Sequence, residues 1–156
     1  MADSVSSHFV PPDPDYVARV RASFARQGFM GFIGASMDAV EPGFCRISLP
    51  YRPELSQQHG FFHGGVIGTL ADNCGGYSAF TMAEAHASIL TVEYKLNIVA
   101  PGRGERLEGE GRVIRPGRRL VVCESRIFAV DGGRRQLCAV ALGTLMLMAG
   151  RSDAPA

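Results

Sequence analysis

The second half of the chain consists of strand patterns and contains no long helical pattern. Apolar and polar side chains alternate over residues 90–98, with the period of two residues that is typical of a β-strand. Three further extended segments follow at 105–115, 119–130 and 135–148, and Pro-Gly or Asp-Gly-Gly turns separate them. Consecutive strands joined by short turns predict an antiparallel sheet.

The first half carries a helical pattern and a strand. Asp13 and Pro14 are typical of an N-cap and a first helical position, and the apolar spacing predicts an amphipathic helix over 14–27. A passage rich in turn residues follows at 28–34. An alternating strand is predicted at 44–49.

The segment 63–84 is predicted to be a long central helix even though it contains five glycines. Each interior glycine costs about 1 kcal/mol relative to alanine, so the helix needs a reason to keep them. Close packing against a sheet that curls around the helix would supply one. The segregation of helices and strands then predicts an α+β fold with one curved antiparallel sheet wrapped around this helix. A loop or a strand-rich structure for the segment is the alternative.

The composition is that of one globular domain, because 156 residues are enough for a substantial core but not for two. We expect flexible ends at 1–12 and 151–156 and a single domain over 13–150. The formal net charge of +1 gives no drive toward nucleic acid. The longest apolar run, 137–149, is too short to span a bilayer, so no membrane partner is expected.

The cysteines and histidines do not predict a metal or redox site. The four cysteines lie far apart and form no Cys-x-x-Cys pair. His59 and His63 have the spacing of two metal ligands on a helix, but Gly60 lies between them and no third ligand is evident. The polar first residues do not resemble a secretion signal. A reduced, cytoplasmic protein is the expectation.

A histidine, two glycines and an isolated carboxylate share the short stretch His63-Gly64-Gly65 to Asp72. If this stretch begins a helix, the free N–H groups of its first turn can hold a developing negative charge. A carboxylate can activate water or attack a carbonyl. The stretch therefore predicts acyl chemistry.

Together with later motifs, this stretch resembles a known family. The pattern His-Gly-Gly-x6-Asp on a helix, followed by Thr-Val-Glu-Tyr-Lys-Leu-Asn and then Pro-Gly, is similar to the hotdog-fold acyl-CoA thioesterases, above all the phenylacetate-degradation (PaaI-type) subgroup. The resemblance covers about residues 30–148. It implies a hotdog fold, a homodimer with a continuous sheet that assembles to a tetramer, and no cofactor apart from the coenzyme A of the substrate.

Helix geometry independently favours two copies of the chain. Gly64 and Asp72 are eight residues apart, which is about 12 Å along a helix axis. One thioester carbonyl must lie about 3 Å from both its oxyanion donor and its catalytic group. One helix cannot satisfy both conditions, whereas two antiparallel copies side by side could pair Gly64 of one with Asp72 of the other.

The resemblance also implies the catalytic roles. Asp72 would be a general base for water or a nucleophile that forms a mixed anhydride, and the Gly64 N–H would be the oxyanion donor. His63 would orient this turn or the thioester, and a purely structural role is equally open. Asp72 could instead bond to nearby backbone or to a structural arginine, as helix-interior aspartates commonly do.

Three further positions bear on the same chemistry. Gln57 matches a residue that orients the nucleophile, the water or the thioester, with Gln58 as the competing choice. Thr91 matches a hydroxyl that holds the attacking water in some relatives, and a solvent-facing strand position is the alternative. Some relatives carry a hydroxyl four residues after the acid, where this chain has Gly76. Any role of that hydroxyl is therefore absent here or is supplied by Ser78 or Thr91.

Substrate binding is expected at the mouth of the helix and on turns beside the late strands. Turn arginines and a glycine N–H can bind the phosphates of coenzyme A, although a solvated basic rim would carry the same pattern. The candidate substrate-binding residues are Gly65, Arg103, Gly117 and Arg118, with Arg115 and Arg119 in the same group. Residues that could line an acyl pocket or simply belong to the core are Phe61, Phe62, Tyr77, Phe80 and Met82.

The predicted function is hydrolysis of an acyl-CoA thioester. A non-catalytic acyl-CoA-binding module of the same fold is one alternative, but it would have no need of Asp72 beside a thioester. A hotdog dehydratase is another, but that chemistry relies on a histidine paired with an acid in a different arrangement. The acyl group, and the choice between coenzyme A and acyl-carrier protein, are not defined by these residues.

Overall fold

The computed structural model describes residues 9–154, which form one curved six-stranded sheet and three α-helices. Residues 1–8 and 155–156 lie outside the described part of the chain, so the predicted flexible ends remain a prediction there. Within residues 9–154, no helix is long and apolar enough to cross a membrane.

The strands confirm the predicted antiparallel sheet. Their bounds are β1 Ser36–Glu41, β2 Phe44–Pro50, β3 Ala87–Ile98, β4 Arg106–Pro116, β5 Leu120–Asp131 and β6 Arg134–Ala149. Across the sheet the order is β1-β2-β4-β5-β6-β3, and every neighbouring pair is antiparallel. Strand β3, which follows the central helix in the chain, crosses over to the far edge of the sheet and pairs there with β6, the last strand.

The helices differ from the prediction at their ends. Their bounds are α1 Tyr16–Ala25, α2 Gly28–Ile33 and α3 Gly64–Phe80, with a short 3-10 helix at Pro53–Leu55. The prediction that Asp13 caps α1 is wrong, because the N-cap residue is Asp15. The Asp13 carboxylate lies ahead of the helix, where it accepts the Asp15 N–H at 2.9 Å and pairs with Arg19 of α1 at 2.6 Å. The central helix is confirmed but ends four residues early.

The passage at 28–34 was predicted as turns and is instead the short helix α2. Met30 and Ile33 lie three residues apart and point into the core, which is the spacing of a helix face. Gly34, with φ of +83°, ends the helix. Gly28 and Gly31 hide this pattern in the sequence.

The central helix α3 packs against the concave face of the sheet, and its closest approach is to β4. A Cβ added at Gly111 would lie 1.9 Å from the Cys74 carbonyl oxygen, and one at Gly109 would lie 2.6 Å from the Cys74 Sγ. The predicted close packing is therefore confirmed, but the glycines that allow the closest contact belong to the sheet. On the helix, Gly68 and Gly75 leave room for smaller contacts with strand side chains.

Strand β3 is an edge strand within the described residues, since it pairs with β6 and has no strand on its other side. A register shift between Thr91 and Glu93 interrupts the alternation that the sequence shows. Several of its apolar side chains are exposed in the single chain: Leu90 at 56%, Val92 at 52% and Ile98 at 49%. A long, apolar, unpaired edge is a surface that another strand can extend.

The contact at Gly111 predicts a large loss of stability from a single methyl group. Gly111→Ala should lower the free energy of unfolding by about 3 kcal/mol, because the new Cβ collides with helix backbone that cannot move alone. Gly31→Ala is the matched control: no atom lies within 4 Å of its Cβ, so stability should be unchanged or slightly higher. Urea unfolding at one protein concentration measures both, and equal stabilities would contradict the proposed close contact.

Candidate active site

His63 caps the central helix with its own side chain. Its Nδ1 accepts the Gly65 N–H at 2.9 Å, while its backbone N–H donates to the Leu55 carbonyl at 2.9 Å. A ring that accepts at Nδ1 is neutral and carries its proton on Nε2. The structure thus gives His63 a role in holding this turn, which was one of the roles considered from the sequence.

The Gly64 N–H has no hydrogen-bond partner among residues 9–154. Because the side chain of His63 occupies the Gly65 N–H, Gly64 presents the free donor of the first turn at the positive end of α3. It borders a cavity of about 440 Å³. We call the lining residues Gln57, Gly64, Ile98 and Gly102 the amide half-site.

Gln57 belongs to this half-site and Gln58 does not. The Gln57 Oε1 accepts the His59 N–H, so its Nε2 is left as a donor with no partner in the described part of the chain. Gln58 instead contacts the His59 ring at 3.3 Å and lines no cavity with Gly64. Gln57, and not Gln58, therefore lines the same cavity as Gly64.

Asp72 lies half-buried on α3 and is held by a hydroxyl from the edge strand. Thr91 Oγ1 donates to Asp72 Oδ1 at 2.7 Å. Asp72 and Thr91 border a second cavity, of about 480 Å³. We call Asp72, Thr91, Gly76 and Tyr77 the carboxylate half-site.

The structure favours Thr91 as the hydroxyl beside the acid. Ser78 is fully buried and donates to the Gly75 carbonyl at 2.8 Å, away from the carboxylate half-site. Gly76 leaves open space beside the acid, with no atom within 4 Å of its Cβ position. Thr91 faces the helix, since residues that pair across antiparallel strands point to the same side and its partner is the buried Leu145. The register shift in β3 accounts for this orientation, which simple alternation would not give.

The two half-sites are separated along both α3 and β3. The helix is continuous from Gly64 to Phe80, so Gly64 and Asp72 are about 12 Å apart along its axis. On β3, Thr91 lies near the start and Ile98 at the end. A single chain does not bring the amide donors and the carboxylate to one carbonyl.

The structure separates the candidate phosphate-binding residues into two groups. Gly117, Arg118 and Arg119 border a groove of about 830 Å³ at the β4–β5 turn. Arg103 lies in the β3–β4 connection, at the opposite end of an eleven-residue strand and about 35 Å away. Arg103 and Arg118 therefore do not form one phosphate-binding group within a single chain, because β4 runs the length of the sheet between them.

Burial makes the cysteines unsuitable as catalytic nucleophiles. All four are free and buried. Burial raises the pKa of the Cys123 thiol to about 12 and that of Cys138 to about 11, and it raises the pKa of Cys74, two residues from Asp72, well above its usual range. These thiols stay protonated at neutral pH, so they are poor nucleophiles.

The two histidines that have metal-ligand spacing are engaged in other contacts. His63 accepts from the Gly65 N–H, and His59 contacts the Gln58 side chain. Over residues 9–154, no three His, Cys, Asp or Glu side chains are grouped in a way that could hold a metal ion.

Comparison with known proteins identifies the family. A family profile described as the thioesterase superfamily matches residues 59–135. A Saccharolobus solfataricus protein named as an esterase is 34% identical over 128 residues, which cover 82% of this chain and 83% of that protein. The chain belongs to the thioesterase superfamily.

Solved structures of other proteins share the fold. A thioesterase family protein from Silicibacter pomeroyi is 41% identical, covers 86% of this chain and 99% of its own, and superposes with a TM-score of 0.85. The PaaI protein of the E. coli phenylacetic acid degradation operon is 16% identical, with 90% and 99% coverage and a TM-score of 0.79. The predicted hotdog fold is confirmed: a curved antiparallel sheet wraps one long helix in this member of the thioesterase superfamily.

The sequence did not indicate that α1 forms a wall of the carboxylate half-site. Ser23, Arg26 and Gln27 line the same cavity as Asp72. The Tyr77 hydroxyl links the two helices, since it lies 3.2 Å from Ser23 Oγ and accepts from Gln27 Nε2 at 2.8 Å. The only sequence signal of this contact was Gln27, a polar residue at the end of the predicted helix 14–27. Helix spacing alone does not indicate which distant element such a residue contacts.

The cap on α3 predicts a specific stability pattern at position 63. His63→Ala should lower the free energy of unfolding by about 1 kcal/mol, because the Gly65 N–H loses its acceptor. His63→Asn should retain most of the stability, since asparagine is a favoured N-cap residue. Urea unfolding compares the two variants, and equal losses for alanine and asparagine would count against a capping role.

Proposed function

We propose that this thioesterase hydrolyses acyl-CoA thioesters at a site composed of two subunits. The observation that carries the proposal is the hydrogen bond from Thr91 to Asp72 at the edge of the sheet. It fixes one carboxylate oxygen, whereas the other has no hydrogen-bond partner among residues 9–154. A fixed, partly desolvated carboxylate next to an unpaired strand edge is suited to act on a substrate that lies between two copies of the chain.

The dimer would form by antiparallel pairing of β3 with its partner copy. Such pairing continues the sheet, satisfies the unpaired backbone groups of the edge and covers its exposed apolar side chains. A two-fold axis near Tyr94 and Lys95 would set Thr91 opposite the partner's Ile98. That register joins the carboxylate half-site of one subunit to the amide half-site of the other.

The same two-fold axis reunites the phosphate-binding candidates. Gly117 and Arg118 lie at the end of the sheet that holds Thr91, because Leu120 and Leu90 both pair with Met146 of β6. Arg103 follows the opposite end of β3, which the dimer would bring beside the partner's Thr91. One composite site would thus contain arginines from both subunits, which suits the three phosphates of coenzyme A. Gly65, at the mouth of α3, would border the bound thioester.

In this site the amide donors would stabilise the oxyanion. The Gly64 N–H and the Gln57 Nε2 of one subunit would donate to the thioester oxygen as negative charge develops on it. The positive end of α3 adds to that stabilisation. His63 acts as a positioning residue, because its ring holds the first turn of the helix in place.

Asp72 of the other subunit has two routes to the products. As a general base it takes a proton from water, the hydroxide adds to the carbonyl carbon, the C–S bond breaks, and the proton passes to the departing thiolate. As a nucleophile it attacks the carbonyl carbon and expels the thiolate, and water then cleaves the mixed anhydride to free acid and carboxylate. Thr91 holds the carboxylate in the same orientation for both routes.

The finer assignments follow from the same proposal. A PaaI-type activity, a dimer that assembles further to a tetramer, a cytoplasmic location and the absence of a cofactor other than the substrate's coenzyme A all remain predictions. The dehydratase alternative has less support, because no histidine lines the carboxylate half-site in the described residues. A binding module would not explain the fixed carboxylate.

The proposal predicts that thiol release depends on Asp72. Against a panel of acyl-CoAs, Asp72→Ala and Asp72→Asn should each lower kcat by about 100-fold or more, because the catalytic carboxylate is lost. Thr91→Val should lower kcat by about tenfold, whereas Thr91→Ser should stay near wild type, since it keeps the hydroxyl that holds Asp72. Thiol release is followed with a chromogenic thiol reagent.

Asp131→Asn, at the exposed hairpin between β5 and β6, is the matched control and should leave the rate unchanged. Every variant is compared at equal dimer content, measured by light scattering. Unchanged turnover in either Asp72 variant would remove this residue as the catalyst. Tight binding of an acyl-CoA with no thiol release from any of the panel would favour the binding module instead.

A further inference from the structure

The chain that follows β6 turns back over α1 and borders the carboxylate half-site. Gly150 adopts φ of +69°, a left-handed conformation that redirects the chain as the last strand ends. The next residues, 151–154, form a short segment that we call the strap. Within it, the Ala154 N–H donates to Ser152 Oγ at 3.0 Å.

One ion pair fastens the strap to α1. The Arg26 guanidinium donates to the Asp153 carboxylate and also to the Asp153 carbonyl at 3.3 Å. Arg26 is the C-cap residue of α1, so the strap is attached at the end of that helix. The interaction joins residues that are distant in sequence, and neither side chain contributes to the core of the fold.

The strap is part of the wall of the cavity that contains the carboxylate. Asp153 and Ala154 line the same space of about 480 Å³ as Asp72 and Thr91. On the neighbouring wall, the Tyr77 hydroxyl is fixed by Gln27, the residue after Arg26. Whatever fills this cavity beside Asp72 therefore meets the strap.

We propose that the strap is a wall of the acyl pocket and that the Arg26–Asp153 ion pair sets the size of the acyl group the enzyme accepts. This inference rests on the proposed thioesterase function. With the thioester carbonyl at Asp72, an acyl group that enters this cavity extends toward α1 and the strap. A short acyl group fits behind the closed strap, whereas a longer one requires the strap to move.

The ion pair can be removed without unfolding the protein. The side chains of Arg26 and Asp153 are 42% and 22% exposed, and pairs at such positions contribute little to global stability. Its effect would instead be local, because an unfastened strap no longer closes the pocket. Substitution at either position therefore separates pocket size from folding.

The test compares acyl-CoA substrates from butanoyl to dodecanoyl in the full-length enzyme. Asp153→Ala and Arg26→Ala should each raise the ratio of kcat/KM for dodecanoyl-CoA to that for butanoyl-CoA by about tenfold, because the longer chain no longer meets a closed wall. The charge-swapped double variant, Arg26→Asp with Asp153→Arg, should return the ratio toward wild type. Glu124→Ala removes an exposed ion pair with Arg126 outside the pocket and should leave the ratio unchanged.

A binding series separates failure of this inference from failure of the proposed function. Dissociation constants for S-alkyl-CoA thioethers of the same lengths, measured by calorimetry, should show the same shift toward longer chains in Asp153→Ala. If the enzyme hydrolyses none of the thioesters but shows this shift in binding, the strap proposal stands and the proposed hydrolase function fails. Identical length profiles in wild type and variants, in hydrolysis and in binding, would overturn the strap proposal, as would absence of binding by every thioether.

Discussion

The close contact of the central helix with strand β4 is the constraint on which the other features depend. Gly109 and Gly111 let the helix backbone touch the sheet, and this contact fixes where each face of α3 points. The sheet curls around the helix, the first turn of α3 opens at one end, and Asp72 meets the edge strand further along. Both half-sites take their positions from this single packing arrangement.

A rigid helix also separates the two groups that the proposed chemistry needs, because one lies in its first turn and the other near its middle. Backbone donors are available only in the first turn, whereas the carboxylate lies about two turns further on, where an edge-strand hydroxyl can hold it. In the proposed mechanism, the resulting separation of about 12 Å leaves the site of a single chain incomplete. The exposed edge of β3, which joins the two half-sites, is the surface at which a second copy would complete both.

The fold could be predicted because strand alternation and turn residues are local signals, and the helix capped by His63 begins where the motif predicts. Long-range packing was not visible in the sequence. Glycines hid α2, β4 separated Arg103 from Arg118, and α1 with the strap reached the carboxylate half-site from distant parts of the chain. A register shift of one residue turned Thr91 toward Asp72, and alternation alone does not predict such a shift.

The composite site is tested most directly by mixing two inactive subunits. Gly64→Pro removes the oxyanion donor but suits the first helical position, and His63 already has the extended backbone that precedes proline. Paired with Asp72→Ala in a purified heterodimer, it leaves one intact composite site of two. Thiol release should then recover to about half the wild-type rate, while each homodimer stays inactive. A confirmed heterodimer with no activity would contradict a site shared between subunits.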